Sequence, residues 1–295
     1  MYENRRRRLG DRADGFKLRH ISPLNKLMPY IMKQRAGSIV FYEFDCDINR
    51  TEEFMRTTRK EQYKGLSYTH LVMAALARTI AEHPKLNRFV SGQTIYARKK
   101  IRFAMAAKTS LTEEGKEFQT ITEVSEHDSL LEVARKFDEQ LAIIMKDEGS
   151  ENGTDKLLNI FCKLPRFILR FVLSCVSVLD YWGIMPNMYL EGLPFYCTAY
   201  LTHLGSMGGD AVFHHLYDFG NTSIFIALGK KTTEYRNQAD GSIKKFVTLP
   251  FKITLDERIA EGFDFLAAMK TFKYYIENPQ LLLERNENEV SDPEL

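Results

Sequence analysis

The sequence predicts an α/β domain built on a mixed β-sheet, and three observations carry that prediction. Stretches such as SIVFYEFDCDI (38–48) alternate apolar and polar residues with a period of two, as half-buried strands do. Others, such as LLEVARKFDEQLAIIMK (130–146), repeat apolar residues at helical spacing. Strands and helices are interleaved without the regular alternation of a doubly wound parallel sheet. At 295 residues, 44% of them hydrophobic, the chain can fill a sizeable core.

Taken in order, the first strand sets Val40, Tyr42, Phe44, Cys46 and Ile48 against Phe41, Glu43, Asp45 and Asp47. Asn49 with Glu52 three residues on resembles a capping arrangement for the helix RTEEFMRTTRKEQY. Ser67 is expected to cap YTHLVMAALARTIAEH, which Pro84 ends. Two strands follow around SGQ (91–93), with KKIRFAMAAKT among them. Ser129 and Glu132 form an S-x-x-E capping box for a helix whose stripe is Leu130, Val133, Phe137, Leu141 and Ile144. DEGSENGTD (147–155) reads as a linker or surface loop. Strands FYCTAYLTH, TSIFIALGKK and KKFVTLPFKITL come next, the last two joined around Asp240-Gly241, and a closing helix carries Phe265, Met269, Phe272 and Ile276.

Composition excludes more than it identifies. Forty-one Lys and Arg against 39 Asp and Glu leave a net charge of +2, with no overall pull toward nucleic acid or membrane. Arg5 to Arg8 read as part of a solvated tail, residues 1–16, and residues 285–295 as an acidic one. Cys46, Cys162, Cys175 and Cys197 have neither zinc nor disulfide spacing, which suits reduced thiols and a cytoplasmic location, and no targeting segment is visible. No metal site is expected: His214 and His215 are adjacent, so their side chains diverge on a strand or a helix. Phosphate-cradling loops and a G-x-S-x-G elbow are absent, and LGSMGGD (204–210) reads as a tight turn beside a strand. The apolar segment near 157–185 has an uncharged run of only nine residues, Phe171 to Leu179, too short to span a bilayer. Lys163, Arg166 and Arg170 flank it; a packed or subunit-interface helix is expected over one at a membrane surface.

TLDERIAEGFDF (254–265) clusters the carboxylates Asp256, Glu257, Glu261 and Asp264 where a strand hands over to a helix. By charge pattern alone Asp256, Glu257 and Glu261 suit a solvated helix start. The longer stretches LTHLGSMGGDAVFHHLYDFGNTSIFIALGKK and VTLPFKITLDERIAEGFDFLAAMKTFKYYIENPQLLL resemble the acyltransferase core of 2-oxoacid dehydrogenase complexes, whose fold is that of chloramphenicol acetyltransferase. That family's closing motif, Asp-His-Arg-x-x-Asp-Gly, here reads Asp256, Glu257, Arg258, Ile259, Ala260, Glu261, Gly262, and Glu277-Asn278-Pro279 follows. ISPLNKLMPYIMKQR, GLSYTHLVMAALARTIAEHPKLNRFV and SEHDSLLEVARKFDEQL look like its earlier helices in the same order. The resemblance implies one acyltransferase-like domain over 17–284, a chloramphenicol-acetyltransferase-like sandwich with a mixed sheet covered by helices and an apolar helical insertion near 157–185. No lipoyl domain or peripheral-subunit-binding segment is recognised ahead of it.

The resemblance further implies acyl transfer from coenzyme A to a thiol or other small acceptor, in a homotrimer with dehydrogenase-complex partners. In the family a histidine base deprotonates the attacking thiol, a serine hydroxyl steadies the oxyanion, and the motif aspartate pairs with an arginine of the opening helix. Carried over, the base becomes Glu257, the hydroxyl Thr202, the aspartate Glu261 and the arginine Asn25, with Arg258 and Gly262 supporting. A thiol near pKa 8.5 lies about two units above histidine and about four above glutamate. The extra gap is about 3 kcal/mol, or about a hundredfold in rate. Burial or a like-charged neighbour would narrow it. His203, His214 and His215 are the alternative bases, His203 being expected to face away from Thr202 on a strand. A non-catalytic binding or scaffolding subunit is the alternative function.

Overall fold

Strand pairing in the computed structural model, which describes residues 2, 5–108, 117–146, 163–238, 240–288 and 291–295, organises the chain around a seven-stranded mixed sheet. Its order is β2 (Ile39–Asp47), β10 (Ile243–Asp256), β8 (Ile224–Leu228), β7 (Ala199–His203), β5 (Ile101–Lys108), β6 (Glu117–Val124). β9 (Thr232–Asn237) also pairs with β10. β5, β7 and β8 run parallel and the remaining pairs antiparallel. A second sheet joins β1 (Gly15–Lys17), β4 (Thr94–Arg98) and β3 (Arg88–Ser91). Seven helices are found among the described residues: α1 (Pro23–Ile31), α2 (Asn49–Glu61), α3 (Tyr68–Glu82), α4 (Leu130–Lys146), α5 (Arg166–Tyr181), α6 (Asn187–Gly192) and α7 (Gly262–Glu277).

The core lies between one sheet face and three helices. Val72 and Leu76 of α3, Val133 of α4 and Phe272 of α7 form one buried cluster with Leu201, Ile226 and Ile253 of the strands. The opposite face carries a small cluster around Tyr200 and Phe225 and leaves Phe41 and Glu43 exposed. This one-sided covering explains the alternation of β2: Cys46 and Ile48 point into the core and the other set into solvent.

Two helix starts follow their sequence signals. Ser67 accepts the His70 N–H and His70 Nδ1 accepts the Ser67 N–H. Ser129 and Glu132 exchange the same pair of bonds. The Asn49 and Glu52 arrangement does not cap α2: Asp47 accepts the Asn49 N–H, and Glu52 accepts from the Tyr68 hydroxyl and Lys231. TSIFIALGKK is not one strand. β8 stops at Leu228 because the 204–207 turn presses on Gly229, so that a Cβ on Gly205 would lie 2.1 Å from the Gly229 carbonyl oxygen. The Asp240-Gly241 turn therefore joins β9 to β10.

The ends expected as tails are docked where they are described. Arg12 is buried and reaches Asp14, Ser91 and both the carbonyl and the carboxylate of Asp180. Asp292 is buried in a two-pronged pair with Arg88, 2.5 Å at each contact. The expected linker 147–155 and residues 157–162 of the expected insertion lie outside the described residues. Of the rest of the insertion, 166–181 is helical, and no residue of α5 is fully buried, so of the two expectations, a packed helix and a subunit-interface helix, the first does not hold.

Candidate functional site

β10 ends at Asp256 beside the start of β2, and the turn that follows delivers the motif residues to the mouth of a cavity of about 420 Å³. Leu24 and Met28 of α1, Val40 and Tyr42 of β2 and Phe265 of α7 give it an apolar wall. Asn25, Glu257, Arg258, Glu261 and Gly262 also line it. The 257–262 turn and α1 thus line one cavity.

Their environments differ sharply. Asp256 is fully buried, and its carboxylate takes Arg258 Nε at 2.8 Å and Nη2 at 2.6 Å. Arg258 Nη1 also donates to the Met32 carbonyl, tying the end of α1 to the end of β10. Asp256 is therefore a structural anchor, not part of a solvated helix start. Glu257 next to it is exposed, its backbone N–H held by the Ser38 carbonyl at 2.9 Å. Glu261 caps α7 in a reciprocal arrangement with Asp264. Its carboxylate also accepts from the Asn25 side-chain amide at 3.0 Å, across 236 residues of chain. Gly262 has a negative φ and open space around its Cβ position, so the single chain does not require glycine there.

Thr202 is not in this cavity. It sits at the far end of β7, level through Ala227 of β8 with Lys252 of β10. Five residues along β10 and two strands across separate it from Glu257, roughly 15–20 Å by strand geometry. Alternation puts Thr202 on the face of Tyr200, opposite the helices. His203 points the other way, its Nδ1 3.4 Å from the Thr69 hydroxyl of α3, and burial pushes its imidazole below the usual range, with Lys231 adding to the effect. His214 lies flat on Phe225 at 4.1 Å, on the same face as Thr202, and stacks on His215 at 4.8 Å. Its Nδ1 lies 3.1 Å from the His215 carbonyl oxygen, to which it can only donate. No group of His, Cys, Asp and Glu suited to a metal ion occurs among the described residues.

The sequence did not single out Arg88, Lys85 or Asp292, which back the motif loop. Arg88 donates to the Ile259 carbonyl while paired with Asp292, and Lys85 meets Asp264 at 2.9 Å. The local pattern around Arg88 carries no signal of this, because its partner lies 204 residues away in an end that reads as polar tail.

No protein-family model matches the chain, and no curated protein matches it in sequence. Solved structures do match in shape. The cubic core of the pyruvate dehydrogenase multienzyme complex superposes with a TM-score of 0.55 at 16% identity, over 89% of this chain and 93% of that one. A probable dihydrolipoamide acetyltransferase from Listeria monocytogenes gives 0.53 at 14%, over 94% and 99%. Chloramphenicol acetyltransferase gives 0.50 at 13%, over 90% and 100%. The chain therefore has the chloramphenicol-acetyltransferase-like α/β fold that these acyltransferase cores share.

Proposed function

We propose that the protein is an acyltransferase that moves an acyl group from coenzyme A to a small thiol or hydroxyl acceptor at a site between subunits of a homotrimer. The observation that carries this reading is the Asn25–Glu261 hydrogen bond beside Glu257. The pair that the family resemblance carries over onto Asn25 and Glu261 is hydrogen-bonded in this chain, which supports reading the motif turn as the reacting site. In the reaction, Glu257 takes the acceptor's proton as the acceptor attacks the thioester carbonyl. The Thr202 hydroxyl of a neighbouring copy donates to the resulting oxyanion. Collapse of that intermediate breaks the C–S bond, and the coenzyme A sulfur leaves with the proton returned by Glu257.

A second reading is favoured by the exposure of Glu257 in the single chain: a subunit that holds an acyl-coenzyme A ligand and does not turn it over. One pair of variants separates the two. Turnover of acyl-coenzyme A by the wild type should fall by about a hundredfold or more in Glu257→Gln, and Glu257→His should raise it toward the rate of a histidine base. If wild type and Glu257→His both bind acyl-coenzyme A without turnover, the second reading replaces the first.

A further inference from the structure

The feature that acyl transfer leaves unexplained is the outer face of α5. Ile168, Leu169, Val172 and Val176 are half-buried, and Val176 packs on the buried cluster of Met185, Leu190 and Tyr196. On the opposite side Phe167, Phe171 and Val178 recur at helical spacing, and Trp182 continues the stripe just past the last turn. Phe167 is 74% exposed, Phe171 69% and Trp182 71%. Ile184 and Met188, both exposed, extend the same apolar surface toward α6. A helix apolar on both sides is normally covered on both. Too short and too charged to cross a bilayer, α5 is suited to lying along one: no helix among the described residues is long and apolar enough to span.

Charge decides between occupants. From 163 to 184 the charged residues are Lys163, Arg166, Arg170 and Asp180. Lys163, Arg166 and Arg170 are exposed at the N-terminal end, and neither Arg166 nor Arg170 has a carboxylate within ion-pair distance among the described residues. Asp180 is committed to Arg12 at 2.8 Å and to the Ser91 hydroxyl. If two copies packed α5 against α5 in antiparallel fashion, Arg166 and Arg170 would meet the partner's 178–182 turn, whose one carboxylate is already taken. An anionic lipid surface answers both halves of the pattern. Phenylalanine and tryptophan enter the boundary between headgroups and acyl chains, and the flanking cations meet phosphate. The Arg12–Asp180 clamp holds the helix to the body, so the surface is presented as a fixed platform.

We infer that the outer face of α5, from Phe167 to Trp182 with its flanking Arg166 and Arg170, docks the protein peripherally on an anionic membrane surface. The chain contains a single tryptophan, and it lies in this stripe, so the native protein carries its own probe. The full-length protein is mixed with vesicles of phosphatidylcholine alone or with roughly 30 mol% phosphatidylglycerol, then assayed by flotation and by Trp182 emission. Flotation and a blue shift with the anionic vesicles are expected. Arg166→Glu with Arg170→Glu should weaken the partition by about tenfold or more. Phe167→Ser with Phe171→Ser should abolish it while the thermal midpoint holds, since both rings face solvent. Absence of flotation, or equal partition onto neutral vesicles, overturns the inference. So does a blue shift that grows with protein concentration in the absence of lipid, which assigns the face to a second copy.

Discussion

Asp256 and Glu257 are adjacent carboxylates with opposite roles, and the difference is one of partners. The buried Asp256 has two charged hydrogen bonds from Arg258 and one from the Arg258 backbone N–H. Removing its charge strands a buried guanidinium, so Asp256→Asn should cost about 3–5 kcal/mol in denaturant unfolding. Glu257→Gln changes an exposed side chain and should stay within about 0.5 kcal/mol, which lets loss of activity be read separately from loss of fold. His70 supplies a pH prediction. Burial holds its imidazole below the usual value, outweighing Asp138 at 3.2 Å, whose carboxylate is partly exposed and also accepts from the Tyr63 hydroxyl. The Ser67 N–H bond to Nδ1 works in the same direction, since it needs the neutral ring's lone pair. With the folded pKa depressed, this contribution is complete above about pH 6.5, and it is lost as pH falls, because the unfolded chain then binds a proton that the folded one resists. Melting curves between pH 7.5 and 5 should fall less steeply for His70→Gln than for the wild type. The placing of Asn25 opposite Glu261 was an expectation drawn from the family resemblance; of the site, what was legible in the sequence itself was which residues stand in the motif. Whether each carboxylate is buried or exposed was not, because that depends on α1 and Met32, 226 residues from Arg258.

At the scale of elements, signals held where both halves of a contact lie close in sequence. Ser67 and His70, or Ser129 and Glu132, are three residues apart, and each pair closes its cap as read. Ser67→Ala should therefore lower stability by about 1 kcal/mol. The Asn49 cap failed because its intended partner Glu52 is drawn to Tyr68 and Lys231, contacts that no window around residue 49 contains. The break between β8 and β9 was equally hidden, since it arises from Gly205 and Gly229 meeting backbone to backbone. Gly92 offers a sharper case. It turns the β3–β4 hairpin at φ 54°, and a Cβ there would lie 1.9 Å from the Tyr181 carbonyl oxygen at the end of α5. Gly92→Ala should destabilise by about 2 kcal/mol or more, and proteolysis should show α5 loosening first, because the same turn anchors that helix through Gln93 and the Tyr181 hydroxyl.

The whole molecule poses the question that a single chain leaves to its neighbours. Overall architecture was legible because the order of strands and helices is a property of the entire sequence and survives changes at individual positions; the seven-stranded mixed sheet follows from it. The composite site proposed for the trimer is not legible in that way, since Glu257 and Thr202 stand far apart on the sheet of one chain. On the proposed assembly the particle has a mass near three times 34.2 kDa, and each site takes Glu257 from one subunit and Thr202 from the next. That arrangement makes a quantitative prediction. Glu257→Gln and Thr202→Val should each be inactive as homotrimers, for every site then lacks one group. Unfolded together in equal amounts and refolded, they reassemble at random. A site is complete only where a Thr202→Val subunit contributes Glu257 and a Glu257→Gln subunit contributes Thr202, which happens at about one interface in four. Recovery of about a quarter of wild-type turnover is expected, and none would appear if both groups acted from within one chain.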